Sequence, residues 1–403
     1  MVAIEPIGWP MVTDAKGGHP EFESRLAVIV DTPDGVSAAV VVCMVIKSQH
    51  RPCPILPRGV MNVLTMKILL LGGTGLISTA ITKALIARGD EVVLHNRGRT
   101  PHRFEESPNV RVITGDRKDR DAFEAAFEGE TFDVVVDMIA YHIDDTLSAL
   151  RALSGKFGQF VHTSTVCVTS GRPVHIPMTE SEPYHSVGQY GWNKAAIEEH
   201  LLKLHADEGV PVTIMRPSHS YGEGGGILRP FGPWESFVAR LRAGRKLIVP
   251  GDGTGLWAAC HVDDVAQGFL ATFGNPKAFG EVFHITGDEW HTWDHYHQTV
   301  ADVVGGTYSP VYMPSDVLAK CAPKWSGGLR EIFQWTSVFD NDKLKALGYQ
   351  GQTISFAEGT KRTLAWMERD GRLADIEGDD FEDKLIAAWE HAIAELPVMP
   401  KPD

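Results

Sequence analysis

The chain has 403 residues (44.2 kDa), 43% hydrophobic and 22% charged, ordinary for a globular enzyme and enough for one large domain with a smaller lobe. Its formal net charge of −14 argues against general affinity for nucleic acid or anionic membranes. Five scattered cysteines (Cys43, Cys53, Cys167, Cys260, Cys321) with no C-x-x-C pair suggest neither a zinc knuckle nor a disulfide framework, so a reducing cytoplasm is the expected compartment.

Residues 1–65 stand apart. Arg25 to Thr32 and Val36 to Ile46 are apolar runs either side of the turn signal Pro33-Asp34-Gly35, and a hairpin fits them. Neither run is long enough to span a bilayer, and no basic region with a small-residue cleavage site precedes them. The first strand of a doubly wound domain begins only at Met66, so residues 1–65 are expected to be a poorly ordered extension, or sequence upstream of the true start.

From Met66 the pattern is regular. Lys67 to Leu71 is an apolar run of strand length that ends in Gly72 and Gly73, with Gly75 next and a helical pattern from 75 to 88 closed by Gly89. A strand that turns on glycines into a helix presents backbone N–H groups and the positive helix end to a phosphate. Gly72, Thr74, Gly75, Leu76 and Ile77 are therefore the expected phosphate-binding residues, with Ser78 where a third glycine would stand. Further strands are expected at 91–95, 110–114, 132–137, 158–163 and 211–215, and helices at 118–127, 143–153 and 189–207. Repeated β-α-β units make a parallel sheet with helices on both faces, an α/β doubly wound fold. The dinucleotide-binding domain is placed at 66–217. Beyond it Gly222 to Gly226, Pro230 and Pro233 loosen the pattern, so 218–403 is expected to be a smaller substrate lobe with returning elements, ending in a helix over 379–395 that packs or makes an oligomer contact.

Tyr190 and Lys194 are four apart at the start of the 189–207 helix and so share a face. An ammonium near a phenol favours phenolate, which lets the tyrosine exchange a proton with a substrate hydroxyl. Thr163-Ser164-Thr165 places three hydroxyls at a strand's C-terminal end, which faces the ligand crevice of such a sheet. With the glycine turn and this strand end, Y-x-x-x-K resembles the extended short-chain dehydrogenase/reductase family, the NAD-dependent epimerase and dehydratase type. The resemblance covers about 66–350 and includes Arg216-Pro217-Ser218, His261-Val262-Asp263-Asp264-Val265-Ala266 and Asp340-x-x-Lys343. It implies that Thr165 bonds the reacting oxygen, that Tyr190 is the acid/base, and that Lys194 binds ribose and lowers the tyrosine pKa. It also implies cofactor contacts at Asp116, Arg117, Ala140, Pro217 and Ser218, with Tyr141 and His219 toward the substrate.

The cofactor expected is NADP, with NAD as the alternative. Asn96 and Arg97 stand where an acidic residue would bind the ribose 2′-hydroxyl of NAD, and a guanidinium suits a 2′-phosphate. Trp257 replaces an arginine that grips the diphosphate in nucleotide-sugar members, while Arg330 matches a second one. Trp257 offers either a flat face to a sugar ring or core filling. His291, His295 and His297 lack the context of a metal site and read as a solvated face; no metal is expected. The expected partner is a small carbohydrate-like molecule, with no nucleic acid or membrane, and a homodimer is left open. The reading is an epimerase/dehydratase-type sugar oxidoreductase. Its alternatives are an NADPH-dependent reductase or dehydrogenase of a non-nucleotide substrate, and a non-catalytic nucleotide- or RNA-binding relative.

Overall fold

The computed structural model describes residues 24–31, 37–44, 65–234, 236–373 and 380–399. Residues up to 63 and residues from 64 on form two separate compact units. In the first, β1 (Ser24–Asp31) pairs antiparallel with β2 (Ser37–Met44), so the two apolar runs do form a hairpin ladder. The rest of the extension, and with it the expectation of poor order, lies outside the described residues.

The second unit is built on β3 (Lys67–Leu71), α1 (Leu76–Arg88), β4 (Glu91–Asn96), β5 (Val110–Thr114), α2 (Arg120–Ala125), β6 (Phe132–Asp137), α3 (Ile143–Ala152), β7 (Phe157–Thr163), α4 (Gln189–Glu208) and β8 (Val212–Pro217). It continues through β9 (His219–Tyr221), α5 (Phe237–Arg242), β10 (Leu247–Pro250), β11 (Leu256–His261), α6 (Val262–Thr272), β12 (Glu281–Ile285), β13 (Trp290–Thr292), α7 (Trp293–Val304) and β14 (Pro310–Met313). The last helices are α8 (Ser315–Cys321), α9 (Asp342–Lys345), α10 (Phe356–Arg369) and α11 (Phe381–Ala394).

Seven parallel strands lie in the order β12-β8-β7-β6-β3-β4-β5. The chain reverses direction across the sheet between β3 and β6, and that switch point opens the crevice where such folds bind ligands. The strands read as unbroken apolar runs because both faces are covered. Along β3, Ile68 and Leu70 join a core with Ile81 and Leu85 of α1 and Phe269 of α6. Leu69 and Leu71 join the opposite core with Ala149 of α3 and Ile197 and Leu201 of α4. Each such side chain contributes about 1.5–3 kcal/mol by leaving water.

The expected boundary at 217 is crossed by returning elements: α6 packs on α1, and β12 closes the sheet beside β8. What remains of the lobe is a sheet in the order β13-β11-β9, the parallel pair β10-β14 and an aromatic core. Its last helix, α11, is fixed by charge as well as by apolar contact. Glu382 is fully buried and takes bonds from Arg229 Nη2 (2.7 Å), Arg229 Nη1 (2.9 Å) and the Ile248 amide (2.6 Å), with Arg240 Nε 3.1 Å away. Among the described residues no helix is long and apolar enough to cross a membrane.

Candidate active site

Close packing explains the glycine turn. Gly72 has φ +93°, and a Cβ there would come within 2.5 Å of Ile139. A Cβ on Gly73 would meet Leu94 at 2.6 Å. Gly75 caps α1, whose first turn carries no acidic residue. The Gly75 amide donates to Ser78 Oγ at 2.8 Å, so the serine does more than fit the tight helix–strand contact: it closes a capping box on the turn. Thr74, Leu76 and Ile77 are half-buried around it.

At the C-terminal end of β7 the three expected hydroxyls stay together. Thr165 accepts from the Cys167 amide at 3.1 Å, which starts a short 3-10 turn, and its hydroxyl favours ionisation of the Tyr190 phenol. One helical turn on, the buried Lys194 ammonium donates to the Thr163 carbonyl at 2.6 Å and lies 5.3 Å over the ring of Tyr141. The rings of Tyr141 and Tyr190 are 6.4 Å apart. Thr165, Tyr190, Lys194 and Tyr141 thus converge at the C-terminal end of β7.

The electrostatics differ from expectation. Burial pushes the Tyr190 phenol up to about 12, Cys167 and Tyr141 push the same way, and the Thr165 hydroxyl acts against them. The Lys194 ammonium is pulled down to about 8, by burial first, against the attraction of Asp137 and Glu198. Burial therefore holds the phenol as an acid rather than as a phenolate.

Three other expectations are corrected. The Arg117 guanidinium is buried and bonded to Asp137 (2.8 and 3.1 Å) and to the Asp145 carbonyl (2.7 Å), so it holds β6 to α3 instead of facing a cofactor. Trp257 is 3% exposed, stacked on Trp293 at 4.9 Å with Phe333 against its edge, and so offers no open face to a sugar. Among the described residues its indole N–H has no partner, nor has Nε2 of the neighbouring His219, which burial pulls down to about 4. His297 belongs to the lobe core between Phe237, Trp293 and Tyr308, not to a solvated face, while His295 is exposed.

Asn96, Asp116, Ala140 and Pro217 end or follow strands of the sheet. Asn96 accepts from the Gly98 amide, Arg97 is exposed, and Asp116 is half-buried. Ala140 is buried below Tyr141. Pro217 ends β8, and the Ser218 amide donates to the Ile285 carbonyl at 2.8 Å. Arg330 is exposed on the one-turn π-helix Leu329–Phe333. Sequence reasoning did not anticipate a buried network under Ser164. Glu198 accepts from the Ser164 hydroxyl, from Tyr184 (2.9 Å) and from Arg216 (2.5 to 3.1 Å). The signal present was Arg216 at the end of an otherwise apolar strand, since a buried guanidinium needs a carboxylate.

A profile of the NAD dependent epimerase/dehydratase family matches residues 68–286, which span the glycine turn, Thr165, Tyr190 and Lys194. The chain belongs to this family. It is 27% identical over 316 residues to the 2′-dehydrokanamycin reductase of Streptomyces kanamyceticus, covering 78% of this chain and 88% of that protein. It is 29% identical over 313 residues to the chloroplast stem-loop binding protein of 41 kDa b of Arabidopsis thaliana, covering 74% of each. The crystal structure of UDP-glucose 4-epimerase from Thermotoga maritima with UDP-glucose superposes with a TM-score of 0.60 at 22% identity, covering 76% of this chain and 99% of that one. This family member is thus a Rossmann-fold enzyme of the epimerase/dehydratase type.

Proposed function

We propose that this enzyme exchanges a hydride between NADP(H) and a hydroxyl-bearing carbon of a carbohydrate-like ring, with Thr165, Tyr190 and Lys194 as its catalytic residues. The observation that carries the reading is Thr165 at the end of β7, with the buried Lys194 ammonium bonded to the Thr163 carbonyl beside it and Tyr190 one helical turn earlier on α4. The glycine turn fits a dinucleotide: side chains at Gly72 and Gly73 would collide with Ile139 and Leu94, which keeps the backbone bare where a phosphate must come close. When bound, the nicotinamide supplies the two-electron exchange. Tyr190 Oη donates its proton to a carbonyl oxygen in the reductive direction, and Thr165 Oγ1 holds that oxygen in place. Lys194 Nζ is placed to bind ribose hydroxyls.

The similarity to a reductase along most of that protein's length favours net reduction. The internal-redox alternative, an epimerase, predicts a dinucleotide that survives purification. Native mass spectrometry separates the two: protein that purifies free of dinucleotide and consumes NADPH with keto sugars supports net reduction, and a retained cofactor without NADPH consumption refutes it.

For the cofactor, Asn96 and the exposed Arg97 favour NADP over NAD. Arg97→Ala is expected to weaken NADP about ten-fold or more while leaving NAD unchanged, as losing one charge-assisted bond implies. Equal losses in titration would show that this loop does not read the 2′-phosphate. The low ammonium pKa of Lys194 adds a pH dependence. Between about 8 and the ordinary 10.5 the free enzyme has lost this proton, and ribose oxygens restore it. Binding should therefore take up a proton near pH 9 and weaken as pH rises, with no uptake near pH 6.5. Calorimetry in two buffers of different ionisation heat checks the sign, and uptake that persists in Lys194→Met would assign it to another group.

The lack of a cation at 257 suits an uncharged ring better than a nucleoside diphosphate, although the exposed Arg330 is available to an anionic substituent. A cytoplasmic enzyme, with residues 66–217 binding dinucleotide and the lobe after 218 shaping the pocket, completes the proposal.

A further inference from the structure

Arg103 lies on the segment after β4 and is half-buried. The neighbouring Phe104 packs on the core beneath α1, which fixes where the arginine can reach. Its Nη2 donates to the Gly75 carbonyl at 3.1 Å and lies 3.3 Å from Thr79 Oγ1. Nε is buried without a partner, and Nη1 makes no hydrogen bond among the described residues. The other side of the guanidinium rests against Gly224, where a Cβ would come within 2.2 Å of Nη2.

The charges around it make the position unusual. The loop carrying Gly224 is tied to α1 by Glu223–Lys83 (2.5 Å) and to α10 by Glu223–Arg369 (3.0 Å), so the one carboxylate of that loop is taken by other cations. Arg103 itself pairs with no carboxylate among the described residues, in a chain of net charge −14. A half-buried guanidinium held at a helix-capping glycine, with Nη1 unfilled, lacks an anion. It is anchored on the residue that begins α1, where a dinucleotide brings its phosphates.

We propose that Arg103 is a phosphate-binding residue of the dinucleotide site, its Nη1 taking a pyrophosphate oxygen. The inference rests on reading the glycine turn as that site. Arg97, at the end of β4, would read the 2′-phosphate, whereas Arg103 would hold the part common to NAD and NADP.

The test is direct titration of NAD and of NADP into wild-type protein, R103M and R103K, with thermal unfolding of each free protein as a folding control. R103M is expected to lose roughly 10- to 100-fold in affinity for both dinucleotides, the loss of a charge-assisted bond. R103K keeps the charge without the fork and should fall between; it also answers the question if R103M does not fold. R103M that binds both as tightly as wild type overturns the proposal, and a loss confined to NADP overturns the pyrophosphate assignment. Wild-type protein that binds neither dinucleotide would instead sink the underlying reading of the glycine turn, and the proposal with it.

Discussion

Tyr190→Phe is expected to lower turnover by about 10²- to 10⁴-fold while leaving dinucleotide affinity unchanged, the loss typical of removing a positioned acid–base group. The substitution keeps the ring beside Tyr141 and deletes only the phenol hydroxyl. Because the phenol sits at about 12 in the free enzyme, it is almost fully protonated at neutral pH and serves a ketone as proton donor. Parallel measurement of kcat and of dinucleotide Kd checks this. Turnover near that of the wild type would take Tyr190 out of the mechanism. Thr165→Ala is a less clean probe, since its hydroxyl also receives the Cys167 amide.

The largest loss of stability is expected from Glu382→Ala. Arg229 and Arg240 are both fully buried and share this carboxylate, and the Ile248 amide of β10 donates to it as well. Removing it leaves two guanidinium groups without a full complement of partners in a dry setting, a change that costs about 3–5 kcal/mol. The exposed pair Lys384–Asp380 on the same helix is the control: Lys384→Ala should cost ~1 kcal/mol or less. Denaturant unfolding of the two variants separates a buried anchor from a surface pair. Equal, small effects would mean that α11 is held by its apolar contacts alone.

These cases show which parts of the molecule were legible beforehand. The strands and helices of the dinucleotide half fall within a few residues of their expected places, because apolar runs of strand length punctuated by glycines carry their own boundaries. Helix α2 is shorter than expected: Asp119, not an earlier residue, caps it by accepting from the Ala122 amide. Thr165, Tyr190 and Lys194 were legible because a fixed helical spacing and a strand end determine their placement. What failed was partner choice. Arg117 follows Asp116 in the chain but bonds Asp137, and Trp257 finds Trp293 across 36 positions; spacing carries no such information. The same holds for Lys194, whose position was foreseen but whose hydrogen bond to Thr163 was not.

Ser78 has a consequence for how tightly this enzyme can hold its coenzyme. Its hydroxyl accepts from the Gly75 amide, so the turn carries its own acceptor. An anion that seeks the same amide must displace this intramolecular acceptor, and part of the binding energy is spent on that exchange.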